Sequence, residues 1–245
     1  MKDEREKAGW KARTVNRIVG LAISRLVEAE RVDVWVNATL SKAMRGEVDG
    51  LAIELQEFLA RKNLRIETFQ LQIGQVTVLP KLAMKGTIQL LQPSTGELTL
   101  TLLEKQLSDF LSLQFVGERS QPSASANPTQ NYRLHQIHAA FLPENQLQLH
   151  LDWTAASIEA VQSSTLLTTP EIASEGQIVN LAVQSTSGED VPAELTTAIL
   201  SPINEILSLQ DFKQRGTSFQ IQQIETMPEK LTLHASATID QFPTR

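Results

Sequence analysis

Two segments of this chain share one pattern, and that repetition limits the folds that are open to it. Thr101–Gln114 (TLLEKQLSDFLSLQ) aligns without gaps on Thr197–Gln210 (TAILSPINEILSLQ). The shared apolar positions recur at helical spacing, so each segment is predicted to be an amphipathic helix with one apolar face. These positions are Leu103, Leu107, Phe110 and Leu111 in the first segment and Ile199, Ile203, Ile206 and Leu207 in the second. Pro202 lacks a backbone donor and is expected to kink or interrupt the second helix.

The sequence around the two helices repeats as well. An alternating strand precedes each helix, at Leu98–Leu102 and at Ile178–Val183, and a glycine introduces each strand. Two further strands joined at a Pro-Glu turn follow each helix. The corresponding positions are Leu134, Ile137, Pro143, Glu144, Leu147, Leu149 and His150 in one copy, and Ile221, Ile224, Pro228, Glu229, Leu231, Leu233 and His234 in the other. The sequence therefore predicts a duplicated unit of strand, helix and hairpin.

Alternation of apolar and polar residues elsewhere predicts more half-buried strands. It is found at Val32, Val34 and Val36, at Leu51, Ile53 and Leu55, at Phe69, Leu71 and Ile73, and at Val76 and Val78. A short helix is predicted between Thr39 and Arg45, and short glycine links such as Gly74-Gln75 indicate antiparallel neighbours. The predicted fold class is α+β, with a curved, mostly antiparallel sheet wrapped on amphipathic helices.

The chain is predicted to form a single domain over residues 13–245, preceded by a charged tail over residues 1–12. Residues 117–130 (GERSQPSASANPTQ, from Gly117) are poor in apolar side chains and rich in Ser, Pro and Asn. Such a composition is typical of a mobile surface loop, and it also suits a linker between domains. We favour the loop, because the sequences on its two sides belong to one repeated unit.

An additional amphipathic helix is predicted from Arg13 to Glu28. Its apolar stripe is expected to pack on the sheet, whereas the opposite side mixes basic and apolar groups, as a membrane-surface helix does. The residues of that side are Trp10, Arg13, Arg17, Leu21 and Arg25. The alternative is an ordinary solvated face. The longest apolar run here, Ile18 to Ile23, is too short to cross a bilayer and lacks the form of a signal peptide. We therefore expect a cytoplasmic protein that can associate peripherally with a membrane.

Composition and motifs exclude several kinds of function. The net charge of -6 argues against binding of nucleic acid, and without cysteine the chain has no disulfide, thiolate nucleophile or Cys-ligated metal. No known catalytic or phosphate-binding motif is present. His135 and His138 stand three residues apart in a predicted strand, so we expect them on opposite faces and unable to share a metal ion. The sequence thus predicts no catalytic residue, no metal site and no cofactor.

The apolar helix faces are the remaining candidate for a binding site. The predicted lining consists of Leu103, Leu107, Phe110, Ile199, Ile203 and Ile206. Such a volume is either a closed core or a groove for an acyl chain, and the residues alone leave both open.

From about Arg13 to its end, the chain resembles the LmeA-like phospholipid-binding family, most closely its cyanobacterial branch. The similarity lies in LVEAERVDVWVNATLSKAMRGEVDGLAIELQEF, with Gly46, Val48, Asp49 and Gly50, then in LRIETFQLQIGQVTV and KGTIQL. The resemblance implies a fold akin to tubular lipid-binding proteins and a phospholipid ligand, and it supplies no catalytic residue. The actinobacterial relatives carry an export signal, and we expect none in this chain, so their location is not transferred.

Non-enzymatic binding of phospholipid or a similar amphiphile at an anionic membrane surface is the leading interpretation. A protein-binding scaffold with a solid core is the alternative, and its protein partner is unknown. A lipid-acting hydrolase would instead require a Ser or Asp beside His150 at the mouth of an apolar cavity.

Overall fold

The computed structural model describes residues 28–39, 41–42, 45–78, 90–116, 132–155, 160–210 and 216–240. Strands β1 to β5 are Arg31–Asn37, Glu47–Val48, Gly50–Arg61, Leu64–Ile73 and Val76–Thr77. Strand β6 (Ser94–Leu103) leads into helix α1 (Glu104–Phe115), and strands β7 to β10 are Tyr132–Leu142, Gln146–Ala155, Gln162–Ala173 and Ile178–Gly188. Helix α2 (Ala193–Leu207) and strands β11 (Thr217–Met227) and β12 (Lys230–Ile239) follow.

Within the described residues, the strands form three sheets, and neighbouring strands in each sheet run antiparallel. A six-stranded sheet has the order β1-β3-β4-β6-β12-β11, and a four-stranded sheet has the order β10-β9-β8-β7. Strands β2 and β5 make a separate two-stranded pair. The prediction of an α+β protein built mostly from antiparallel sheet is therefore confirmed.

Cross-strand rows of apolar side chains give the six-stranded sheet one buried face. One row crosses all six strands through directly paired residues, namely Val34, Ile53, Leu71, Leu98, Ala235 and Ile221. Each of these side chains is buried. The row shifted by one residue is polar and consists of Asp33, Glu54, Gln70, Thr99, His234 and Gln223. Successive side chains of a strand point to opposite faces, so the alternation read from the sequence places one face in the core.

Each helix connects the two larger sheets. Strand β6 belongs to the six-stranded sheet, and the hairpin that follows α1, β7 and β8, belongs to the four-stranded sheet. The second connection runs the other way, because β10 lies in the four-stranded sheet and the hairpin after α2, β11 and β12, lies in the six-stranded sheet. The order strand, helix, hairpin thus occurs twice, with the roles of the sheets exchanged.

The helix bounds differ from the predicted ones. Helix α1 begins at Glu104, so Leu103 is the last residue of β6 and not a helical residue. Helix α2 begins at Ala193 and runs through Pro202 without interruption. The loss of one backbone hydrogen bond at Pro202 is tolerated in a helix of 15 residues whose proline ring is buried with the apolar face. Of the predicted short helix, Ser41 and Lys42 are helical, and its other members include residues outside the described part.

A close contact at Gly176 joins the two larger sheets. Gly176 ends the short helical turn Ser174–Gly176 between β9 and β10 and has a φ of +85°. A Cβ atom at this position would lie 2.5 Å from the carbonyl oxygen of Ile221, beside the bulge in β11. Only glycine combines this backbone conformation with so short an approach.

Replacement of Gly176 by alanine is expected to destabilise the fold. The left-handed backbone alone costs a residue with a Cβ about 1–2 kcal/mol, and the contact with Ile221 adds to that. Gly74→Ala is the matched control, because its Cβ would meet nothing nearer than the Thr95 oxygen at 3.7 Å. Urea unfolding of both variants measures the effect, and equal midpoints would contradict the importance of this contact.

Candidate functional site

Helix α1 lies along one edge of the four-stranded sheet and hydrogen-bonds to its edge strand, β7. The Ser108 hydroxyl accepts the Ala139 N–H at 2.9 Å and is 3.2 Å from the Ala139 oxygen. Glu104 accepts the Phe141 N–H at 2.6 Å, and Ser112 donates to the Ile137 oxygen at 3.3 Å. These helix residues are four apart and therefore share one face, which matches alternate residues of the strand.

Helix α2 and the residue after it contact the opposite edge, β10, in the same manner. The Ser208 hydroxyl accepts the Val179 N–H at 2.8 Å and donates to the Val179 oxygen at 3.3 Å. Asn204, four residues earlier, accepts the Leu181 N–H at 2.9 Å. Both edges of this sheet are thus covered by side chains from the two helical segments. Unpaired edge groups would otherwise be open to pairing with other chains.

The faces of the helices that do not contact the strand edges supply apolar core. The buried apolar residues are Leu107, Phe110 and Leu111 of α1, and Leu195, Ile199, Leu200, Ile203, Ile206 and Leu207 of α2. All of them belong to a single apolar cluster that also contains the buried rows of both larger sheets. Each helix is therefore amphipathic. A row of polar side chains hydrogen-bonds to the edge of the sheet, and the apolar face packs in the core.

The six residues predicted to line an apolar interior have different positions. Leu107, Phe110, Ile199, Ile203 and Ile206 lie on the helices and retain at most 3% of their accessible surface. Leu103 is half-buried at the end of β6, where it pairs with Lys230 of β12. The structure thus brings five of the residues into one cluster and leaves Leu103 beside it.

The predicted membrane-surface residues Trp10, Arg13, Arg17, Leu21 and Arg25 lie outside the described residues, as does the predicted loop 117–130. Among the helices that the structure does describe, none has the length and apolar character needed to cross a membrane.

A group of charged residues surrounds the first turn of α1. The Gln106 amide nitrogen is 3.5 Å from a Glu57 oxygen and 3.2 Å from a Glu67 oxygen. Burial, followed by the hydrogen bond and the charge of Glu67, raises the pKa of the Glu57 carboxyl. An adjacent cleft of about 380 Å³ is lined by Glu28, Ala29, Glu30, Glu57 and Arg65. None of the six predicted lining residues borders this cleft.

The expected placement of His135 and His138 on opposite faces is wrong. Strand β7 contains a bulge between Leu134 and Gln136, which adds one residue and shifts the alternation. Both histidines are therefore exposed beside buried Leu134 and Ile137. Within the described residues, no group of three or more His, Asp or Glu side chains has a geometry that could hold a metal ion.

His150 has polar neighbours of the kind that the hydrolase alternative requires, but they do not lie at the mouth of an apolar cavity. Its Nε2 is 3.6 Å from Asp152, and its Nδ1 is 3.2 Å from the Thr165 hydroxyl. The Ser163 hydroxyl donates to Asp152 at 2.5 Å, not to the imidazole. His150 is exposed on the polar face of the sheet, opposite His138. A nucleophile and its base would need to meet where a lipid ester can enter an apolar site, and this exposed group does not meet that requirement.

The polar lines on the helices were not found from the sequence. The signal that could have revealed them is the shared Leu-Ser-Leu-Gln, in which Ser112 and Ser208 have equivalent positions and each hydrogen-bonds to one of the two edge strands of the four-stranded sheet. Ser108 and Asn204 also align in the two similar segments. Apolar periodicity predicts the face of each helix that packs in the core, and it assigns no role to the polar residues between the leucines.

Together these features describe a strand-rich α+β protein in which α1 and α2 cover a sheet edge each and direct aliphatic side chains into a shared core. The chain matches the LmeA-like phospholipid-binding family over residues 10–236. It therefore belongs to that family, as the resemblance implied. Comparisons with curated proteins and with solved structures found no match.

Loss of the Ser108 or the Ser208 hydroxyl is expected to destabilise the protein. Ser108→Ala would leave the Ala139 N–H and C=O without their side-chain partner, and Ser208→Ala would do the same at Val179. Each unsatisfied buried group costs about 1–3 kcal/mol. Ser201→Ala, at an exposed position of α2, is the control and should change stability by less than about 0.5 kcal/mol. Denaturant unfolding checks the comparison, and a loss no larger than that of the control would refute the role of these contacts.

Proposed function

We propose that this protein binds a phospholipid or similar amphiphile without catalysing a reaction, and that it does so at a membrane surface. Membership of the phospholipid-binding family supports the class of ligand. The aliphatic faces of α1 and α2 support the place of binding, because acyl chains require a surface of this chemistry. Transfer of one methylene group from water to such a surface contributes about 0.8 kcal/mol, so an acyl chain of ordinary length has a large favourable term.

The proposed site lies between the two helices and the sheets, with Leu103, Leu107, Phe110, Ile199, Ile203 and Ile206 as its lining. Five of these side chains are buried together in one apolar cluster. Entry of an acyl chain therefore requires separation of a helix from the sheets. The polar contacts of α1 and α2 with the sheet edges are few and lie on one side of each helix, which suits such a movement.

We further propose that the fold is a duplicated, tubular-lipid-binding-like architecture. Two observations support a duplication. The elements strand, helix and hairpin occur twice in order. The bulges of β7 and β11 also begin at Leu134 and Ile221, which correspond in the two copies.

The proposed membrane contact uses Trp10, Arg13, Arg17, Leu21 and Arg25 on the cytoplasmic side of a membrane. Basic side chains at an anionic surface contribute about 1 kcal/mol each, and aromatic or aliphatic neighbours add insertion into the headgroup region.

A protein-binding scaffold with a solid core is the second candidate. The observation that favours it is the nearly complete burial of the five helix residues, since a filled interior has no room for a ligand.

Lipid extraction separates the candidates. Mass spectrometry of the purified protein should detect phospholipid at a fixed ratio to the chain if the first proposal is correct. Absence of lipid, together with a stoichiometric protein complex that survives delipidation, would favour the scaffold.

Brominated lipid tests the proposed lining directly. The variant Phe110→Trp should show added fluorescence, and a bromine-labelled, short-chain phospholipid should quench it, because bromine quenches only indoles that it contacts. Leu113→Trp places the same fluorophore on the solvent side of α1, where the side chain is 65% exposed, and should show no added quenching. The unsubstituted protein provides the background from its own tryptophans. Bound lipid without added quenching in Phe110→Trp would place the site elsewhere.

Neutralisation of Arg13, Arg17 and Arg25 to glutamine should weaken binding to anionic vesicles. Three cations at about 1 kcal/mol each correspond to a loss of about two orders of magnitude in affinity at low salt. The control neutralises three exposed cations elsewhere, Lys62, Arg133 and Lys230. Vesicle sedimentation with phosphatidylserine measures both triple variants, and an equal loss in the two would show that the contact depends on net charge alone.

A further inference from the structure

Two carboxylates face each other where the β3–β4 hairpin meets the start of α1. Glu57 of β3 and Glu67 of β4 lie between the paired residues Gln56–Thr68 and Phe58–Ile66, so they are opposite each other on neighbouring strands. Both side chains are half-buried. Like charges directly across an antiparallel pair repel each other, and partial removal from water increases that repulsion. The pair therefore requires a donor or a proton.

Gln106 connects this pair to the first turn of α1. Its amide nitrogen approaches Glu57 at 3.5 Å and Glu67 at 3.2 Å, and its side-chain oxygen accepts the Leu103 N–H at 3.1 Å. An amide side chain has two donors and one acceptor, so Gln106 can serve both carboxylates and the helix start together. The bond to Leu103 is one half of a capping box, which satisfies a backbone donor before the helix.

Charged groups around the pair have both signs. The Arg65 guanidinium, also on β4, donates to the Glu57 backbone oxygen at 2.9 Å and is 3.6 Å from Glu28. Lys105, next to Gln106 on α1, is held by Asp109 at 2.5 Å. Glu28 and Glu30, which precede β1, border the adjacent cleft together with Glu57. The cations near the pair are therefore shared with other carboxylates.

Glu57 consequently retains a proton at pH values where an ordinary glutamate is ionised. Burial and the neighbouring Glu67 raise the pKa of Glu57 above its ordinary value of 4.5, while Arg65 and Gln106 act in the opposite direction. Protonated Glu57 can donate a hydrogen bond to ionised Glu67, so the pair and Gln106 are satisfied together.

We propose that the first turn of α1 is a pH-sensitive latch, closed when the Glu57–Glu67 pair holds a proton and loosened when both carboxylates are ionised. Repulsion then turns one carboxylate towards water and removes one of the acceptors that hold Gln106. The bond from Leu103 to Gln106 weakens in consequence, and the helix start frays. An effect of this movement on ligand exchange rests on the proposed function, whereas the latch itself does not.

The direction of the pH dependence follows from the raised pKa. Between 4.5 and the raised pKa the folded state binds more protons than the unfolded state, so stability falls as the pH increases. The contribution of the protonated pair is fully present below pH 4.5 and is lost as the pH rises through the folded-state pKa. The latch is therefore closed at low pH. The pH next to an anionic membrane is also lower than in bulk solution, because the negative surface concentrates protons.

Amide hydrogen exchange at Leu103 tests the latch in the protein without lipid. After correction for the intrinsic dependence of exchange on pH, protection of this amide should fall several-fold between pH 4.5 and pH 8. In Glu57→Gln the side chain is neutral and can still donate to Glu67, so protection should stay high over the whole range. Glu54→Gln, three residues earlier on β3 and paired with Asp33 and Gln70, is the matched control and should behave like the unsubstituted protein.

Two results would overturn the latch. One is constant protection of Leu103 in the unsubstituted protein, which requires no variant and does not depend on how well a variant folds. The other is an unchanged pH profile in Glu57→Gln. Carbon-13 NMR of the Glu57 carboxyl gives an independent measurement, and a titration midpoint at or below 4.5 would exclude a retained proton. None of these readouts involves lipid, so failure of the latch and failure of lipid binding are distinguishable.

Discussion

The free edges of the four-stranded sheet are the constraint on which the rest of this structure depends. An edge strand presents backbone N–H and C=O groups that must find water or a partner, and exposed edges also promote association with other chains. Here Ser108 serves one edge and Ser208 the other, each with a donor and an acceptor at a single hydroxyl. These contacts decide where the two helices lie, and thereby which of their faces enters the core.

The passage of the chain from one sheet to the other, and back, follows from the same arrangement. Strand β6 lies in one sheet and the hairpin after α1 in the other, so α1 must cross between them, and α2 makes the return crossing. Both helices are consequently at the junction of the two sheets. The helices bound an aliphatic interior and are held mainly along one line, so a helix in this arrangement can separate from the sheets. The proposed lipid site and the proposed latch therefore both involve α1.

The features that local interactions decide were predictable from the sequence, whereas those that long-range contacts decide were not. Strand alternation and the apolar faces of both helices depend on local periodicity, and Leu107 and Ile203 are buried as that periodicity predicts. The end of β6 at Leu103 depends on pairing with Lys230, which is far away in the chain. The bulge after Leu134 moved His135 to the same exposed face as His138, and nothing in the local pattern announces an inserted residue. The continuous course of α2 through Pro202 depends on burial of the proline ring in the core.

The sequence by itself determined the fold class, the antiparallel strands, the apolar helix faces and the family, because these follow from patterns within short segments and from an extended match. Only the tertiary structure decided which sheet each hairpin joins, and which strand edges Ser112 and Ser208 contact. It also brought Glu57, Glu67 and Gln106 together from three separate elements. The physical reason is that hydrogen bonds and carboxylate pairing act over a few ångströms in space, and the distance between residues along the chain carries no information about such contacts.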